Sequence, residues 1–405
     1  MAALQSSQEL DATKLVYFLG VGFAGAGALF SAWQLRSTAN ARLLQPLILL
    51  SLVCGGLLAL TAIVSLAHGT PMTPWLRDAA PYGLLAVVPI FALDLRSSLS
   101  TRSLTAMLLI AGILAAMLYS IVWMDRRSLA DLPADWIALP SGALRSTIYL
   151  YAVTAILLGS QRRMGWTLVA ALALALTWIT GNRGSSVMLP AITILIGLFA
   201  MRRERTVMRP TLRMAGIAGT ALALTGDAIL TLTLFANYDY GRLAGRYETV
   251  MTVSADPTTD GSYRERSGQT SAAWDAFSSS PILGVGPGYA FEWLDYKGDP
   301  LSSFSIDTGL AIPAKFGIAG VVMLVALSIS YLAFLRKASA GSGLTIAHVA
   351  VVAFFVLAIM GLPFSTPFED KGFSFGLLFL LALSLPEEQE TANLSQPPTA
   401  AAGDV

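Results

Sequence analysis

The chain has 405 residues, a net charge of +1, 55% hydrophobic residues and only 13% charged ones. A soluble domain carries about 25% charged residues, so a globule of this length has too little polar surface to face water, and a mean hydropathy of +0.65 points to lipid as the solvent. The near-zero charge excludes a nucleic-acid partner. One cysteine, Cys54, and two distant histidines, His68 and His348, allow no internal disulfide and offer no metal-ligand spacing. No metal and no cofactor is expected.

Met1 to Thr13 is polar and slightly acidic and lacks the basic start of a cleaved signal peptide, so the first apolar run reads as a span. A crossing helix needs about 20 apolar residues. Runs of that kind occur at 15–35, 43–67, 79–95, 104–124, 143–159, 164–181, 185–201, 214–236, 306–335, 345–361 and 373–385. The expected fold is an all-α, polytopic membrane helix bundle of about eleven spans, or twelve. The third and last runs are short, and Pro81, Pro89 and Asp94 predict a kink in the third.

Basic residues recur in every second connection: Arg36 and Arg42, Arg96 and Arg102, Arg162 and Arg163, then Arg202 to Arg213, then Arg336 and Lys337. Basic loops stay in the cytoplasm, which puts the C-terminus inside and the N-terminus outside. The outer connections at 68–78, 125–142, 182–184 and 362–372 are short, whereas 237–305 runs for 69 residues. A loop of that length usually carries function. The chain therefore divides into a bundle over 1–236, a loop domain over 237–305, C-terminal helices over 306–386, and a Pro- and Ala-rich acidic tail over 387–405 that reads as disordered and cytoplasmic.

Within the long loop, residues 270–280 have helical character, with Trp274 and Phe277 on one side. Then comes Pro281-Ile-Leu-Gly-Val-Gly-Pro-Gly, where Gly284, Gly286 and Gly288 permit turns closed to other residues. Such a turn can offer amides to an anion, but it lacks the parallel strand and Gly-Lys-Ser/Thr of a nucleotide loop. Arg183 lies in the tight outer turn at 182–184, against the positive-inside bias; it is either an interfacial snorkelling residue or part of a site. Arg264 and Arg266 are either solvated charges pairing with Glu265 or Asp260, or ligand contacts. Asp227 sits deep in the 214–236 run, where an ionisable group is either functional or hydrogen-bonded to Thr225, Thr231 or a neighbouring helix. The loop aromatics, Tyr263 among them, suit either sugar stacking or anchoring at the headgroups.

The Thr180-Gly-Asn-Arg-Gly turn, a basic connection, one further span and the long outer loop follow in order. Arg266 stands fifteen residues before the Pro281 segment, and Gly317-Ile-Ala-Gly320 follows the loop. This arrangement resembles the O-antigen ligase and O-antigen or exopolysaccharide polymerase superfamily, over roughly residues 178–335. The resemblance implies a glycosyltransferase C-like helical protein of the bacterial inner membrane with a periplasmic loop and a periplasmic site. It implies transfer from an undecaprenyl-diphosphate-linked oligosaccharide to a glycan acceptor, with inversion and without metal; whether a chain-length regulator is a further partner the sequence leaves open. It implies that Arg183 and Arg266 stabilise the diphosphate leaving group, a task that suits a planar, permanently charged guanidinium. Counting back from Gly317, the family's histidine falls on Ile306 and its neighbour on Asp307. The missing histidine favours a repeat-unit polymerase over a ligase that uses another base. Asp307 is then either the catalytic base or an ordinary helix cap. Arg264, Arg246, Tyr263, Gly286 and Asp227 are further candidates for substrate contact. A secondary transporter or lipid flippase with Asp227 as its coupling residue is the alternative from another class.

Overall fold

The structure is a computed structural model and describes residues 25–27, 29–30, 33–101, 103–104, 106–107, 261–295, 298–341, 346–362, 366–369 and 371–386. Arg183, Asp227, Arg246, the expected spans from 143 to 236 and the tail after 386 lie outside the described residues. The elements are α1 (Ala39–Ala67), α2 (Met72–Ser98), α3 (Gly261–Ser279), β1 (Phe291–Leu294), β2 (Pro300–Ser303), α4 (Ala311–Gly341), α5 (Ile346–Gly361), a 3₁₀ turn (Pro367–Glu369) and α6 (Lys371–Ser384). The described chain is mostly helical. Three helices, Ala39–Ala67, Met72–Ser98 and Ala311–Phe334, are long and apolar enough to cross a membrane, and Phe373–Ser384 is apolar but shorter.

Helix α1 starts where the Thr38 hydroxyl accepts the Ala41 amide, satisfying one of the unpaired first-turn donors. It ends at His68, and Gly69, at φ 76°, reverses the chain. Pro71 stands in extended conformation just before α2, so the helix begins at Met72, seven residues ahead of the expected 79. Hydropathy hid these first two turns, roughly, because they carry Arg77 and Asp78, although Asp78 is buried. The apolar stretch of α2 is 56% buried, against 17% in α1 and 22% in α4, so α2 is the central helix and its two neighbours turn apolar faces outward. Leu44, Leu93, Phe334, Phe354, Phe355, Phe368, Phe373 and Leu381 belong to the core shared by these helices, α5 and α6.

Two expectations change. The loop is not purely helical or irregular: β1 and β2 form an antiparallel hairpin with Phe291 opposite Ser303 and Leu294 opposite Pro300. Phe291 and Trp293 point inward and Glu292 and Leu294 outward, the two-residue alternation of a half-buried strand. Asp295 closes the turn by accepting the Asp299 amide on its side chain at 2.8 Å, and Gly298 takes the positive φ of 89°. Helix α4 also begins at Ala311, not 306. Thr308 makes the starting turn, its carbonyl accepting the Ala311 amide at 3.1 Å, so Asp307 does not cap the helix.

The glycine segment lies against α4 at a break. A continuous helix would run Ile318 N–H to Ala314 O and Ala319 N–H to Lys315 O. Instead Ile318 and Ala319 donate to the Pro281 and Ile282 carbonyls at 2.8 and 3.2 Å, while the Ala314 and Lys315 carbonyls accept the Val285 and Gly286 amides at 3.0 Å each. The loop backbone is inserted into two consecutive helical hydrogen bonds. Gly317 makes the break possible at φ 62° and ψ −157°, a conformation essentially reserved for glycine. Ile318 is seven residues into the apolar stretch, about 10 Å along the axis. Irregular backbone at that depth persists only because each freed polar group has a partner.

Candidate functional site

Lys315 is two residues before the break, and its side chain is fully buried. A buried ammonium is stable only if its charge is met by close partners. Lys315 Nζ lies 2.7 Å from Asp78 Oδ1 on α2 and 2.7 Å from Glu369 Oε1 on the 3₁₀ turn. The second oxygen of Asp78 accepts the Gly288 amide at 2.7 Å, and the Tyr82 hydroxyl, one helical turn along α2, donates to Glu369 Oε1 at 2.9 Å. The Ser305 hydroxyl reaches Glu369 Oε2 at 3.4 Å. Burial pushes the Glu369 carboxyl up from 4.5 to about 7; Asp78 pushes the same way, and Lys315 with its hydrogen bond opposes both. Two carboxyls share one cation here. One end of the bundle thus joins the α1–α2 turn, the loop and the α5–α6 connection. At the other end Asn40 Nδ2 and Arg96 Nε both donate to the Pro386 carbonyl, at 3.1 and 3.4 Å.

Helix α3 rests beside this cluster. Ala273 and Ala276 share a small core with Val285, Phe291, Trp293, Ile306, Ala311 and Ala314. Its opposite face carries the exposed Trp274 and Asp275, while Arg264 and Arg266, in its first two turns, are exposed as well. Gln269 Oε1 accepts the Asp307 amide at 2.7 Å, and the Thr270 hydroxyl lies 2.9 Å from that of Thr308 while donating to the Arg266 carbonyl at 2.7 Å. The α3 turn that carries Arg266 is therefore fastened to the strand-to-helix segment that carries Asp307. Asp307 itself is exposed.

Gly286 takes a structural place. Its φ is 87°, its amide is given to Lys315 O, and a Cβ there would strike Ser65 Oγ. The anion that the glycine turn meets is an internal one, the Asp78 carboxylate. Tyr263 lies on α3.

No family model and no curated protein matches this sequence. Among the described residues there is no group of three or more His, Cys, Asp or Glu side chains that could hold a metal.

Sequence reasoning missed Asp78, Lys315 and Glu369. One signal was available: Lys315 is a lone cation in an otherwise apolar run, the same oddity that singled out Asp227. Arg77 was missed too; its guanidinium stands 5.4 Å from the Phe304 ring, one residue before Ser305, adding a cation at this end of the bundle.

Proposed function

We propose that this chain is an inner-membrane glycosyltransferase that polymerises undecaprenyl-diphosphate-linked oligosaccharide repeat units at the periplasmic face, within a bundle of about eleven spans. The observation that carries the reading is the fastening of the Arg266 turn to the Asp307 segment through Gln269, Thr270 and Thr308. It supports a division of labour at one mouth of the bundle. In the reaction the anomeric carbon–phosphate oxygen bond breaks, the acceptor hydroxyl oxygen bonds to that carbon, and undecaprenyl diphosphate leaves. Arg266, with Arg183, bears the charge that builds on the departing diphosphate, and Asp307 takes the acceptor's proton. Preorganised cations of this kind contribute about 3–4 kcal/mol each to a transition state. The re-entrant glycine segment supplies rigidity, since it ties α3 and the hairpin to spanning helices rather than to a free loop.

Deleting the gene in its native host and analysing the lipid-linked glycans tests the proposal. Accumulation of single repeat units is expected. Long chains retained on the carrier would mean a ligase, and an unchanged glycan pool would overturn both. One observation favours a second reading, a secondary transporter: α4 is broken beside buried ionisable groups, as in transporter binding sites. Under that reading Lys315, Asp78 and Glu369 are the coupling residues, and substrate accumulates on one side of the membrane with no change in glycan length.

A further inference from the structure

We propose that the Asp78–Lys315–Glu369 cluster is a proton-binding site that holds its proton on Glu369 Oε2 and exchanges it with water at the loop-bearing end through Ser305. This holds whichever function the chain performs. Two carboxylates and one ammonium, all but excluded from water, would leave one uncompensated negative charge in a low-dielectric region, and a proton on one carboxyl removes it. The hydrogen bonds say which. Asp78 accepts a short bond from an N–H donor on each oxygen, Lys315 Nζ on one and the Gly288 amide on the other, both 2.7 Å, which suits the ionised form. On Glu369, Lys315 and Tyr82 both donate to Oε1, at 2.7 and 2.9 Å, and Oε2 has no N–H donor among the described residues. Its partner is a hydroxyl at 3.4 Å, which can accept as readily as donate.

Among the described residues, one route leads from this carboxyl to water. From α2 the groups facing Glu369 are Asp78 and Tyr82, and from α4 Lys315. On α5 and α6, among the described side chains, the titratable group is His348, which packs by Phe334 near the start of α5, away from the Pro367–Glu369 turn. Tyr82 also borders a pocket of about 80 Å³ lined mainly by apolar side chains such as Leu58, Leu85, Phe316 and Phe368, a lining that disfavours water. Ser305, in contrast, is exposed and touches Oε2. The direction of the Glu369 shift, to about 7, agrees with a proton held at neutral pH.

Infrared difference spectra of the full-length protein in liposomes, with pH stepped from about 5 to about 9, test the proposal around the carboxyl's raised midpoint. Wild type should lose a protonated-carboxyl band with a midpoint about 7. Glu369→Gln should lack the band. Asp78→Asn, which leaves one carboxyl for one ammonium, should move the midpoint down by at least about one pH unit. Ser305→Ala should keep the midpoint and slow exchange of the proton for deuterium. A wild type with no such band overturns the site even if the variants do not fold. A band surviving in Glu369→Gln puts the proton elsewhere, and exchange unaffected in Ser305→Ala overturns the route.

Discussion

Lys315 and Gly286 are joined by a hydrogen bond from the Gly286 amide to the Lys315 carbonyl, 3.0 Å long, while the side chain of the same lysine holds Asp78 and Glu369. One residue thus uses its backbone to hold the loop and its side chain to hold the bundle. Because the carbonyl is free only where the helix is broken, the docking of the loop and the burial of the charge depend on one another.

The break makes Gly317 irreplaceable. A Cβ there would meet the Ile282 backbone, and the φ of 62° disfavours any other residue. Gly317→Ala should cost at least about 2–3 kcal/mol from backbone strain alone, seen as a marked fall in the thermal midpoint of detergent-purified protein. Gly298→Ala is the control: its φ is 89° but the space around it is open, so about 1 kcal/mol is expected. Equal effects from the two would contradict the insertion of the loop into α4.

Removing the cation should be worse than removing the cluster. Lys315→Met leaves two buried carboxyls facing each other, a loss of about 3–5 kcal/mol. Combining it with Asp78→Asn and Glu369→Gln removes the stranded charge and should recover much of that loss, because groups in one network are strongly non-additive. Chemical denaturation of the single and triple variants measures the coupling; simple additivity would mean the ion pairs are not formed.

Glu369 should make stability fall as pH rises. Its carboxyl is raised from 4.5 to about 7, so between those values the folded protein binds a proton that the unfolded chain has released. Folding is then favoured most below about 4.5 and loses that contribution by about 7, a change of at most about 3 kcal/mol. Glu369→Gln should flatten this part of the profile. A profile rising through the same window, and unchanged in the variant, would show the carboxyl to be ordinary.

If Arg266 binds the leaving diphosphate, Arg266→Ala should lower glycan polymerisation by about 10²-fold or more, with unchanged membrane abundance. Arg266→Lys should recover little, because a point charge loses the paired geometry of guanidinium. Arg183→Ala should behave alike. Normal polymer in both alanine variants, read on lipid-linked glycans, removes the proposed mechanism.

Asp307→Asn should reduce turnover by about 10²–10⁴-fold if the carboxylate is the base. Gln269→Ala, which releases the Asp307 amide, should give a smaller loss through positioning. Wild-type turnover in Asp307→Asn would exclude that role for it.

The apolar helices of the described chain were legible in its sequence, because long apolar runs with few charges stand out in hydropathy. Five described helices lie within a few residues of where hydropathy puts them, except at the start of α2, where Arg77 and Asp78 masked about two helical turns. The hairpin was missed because its Phe-Glu-Trp-Leu strand is only four residues long. The glycines were rightly read as turn-formers, but their partner was not visible: what sets their geometry is a broken helix about 30 residues downstream. Residue chemistry and local pattern, then, settled that the described chain is built mostly of apolar helices and that the connection before α4 carries arginines and a glycine turn. Tertiary structure alone decided that the turn enters α4 at Gly317 and that Asp78, Lys315 and Glu369 meet, because pairing of a buried charge depends on approach in space between residues up to 237 positions apart, which no local pattern encodes.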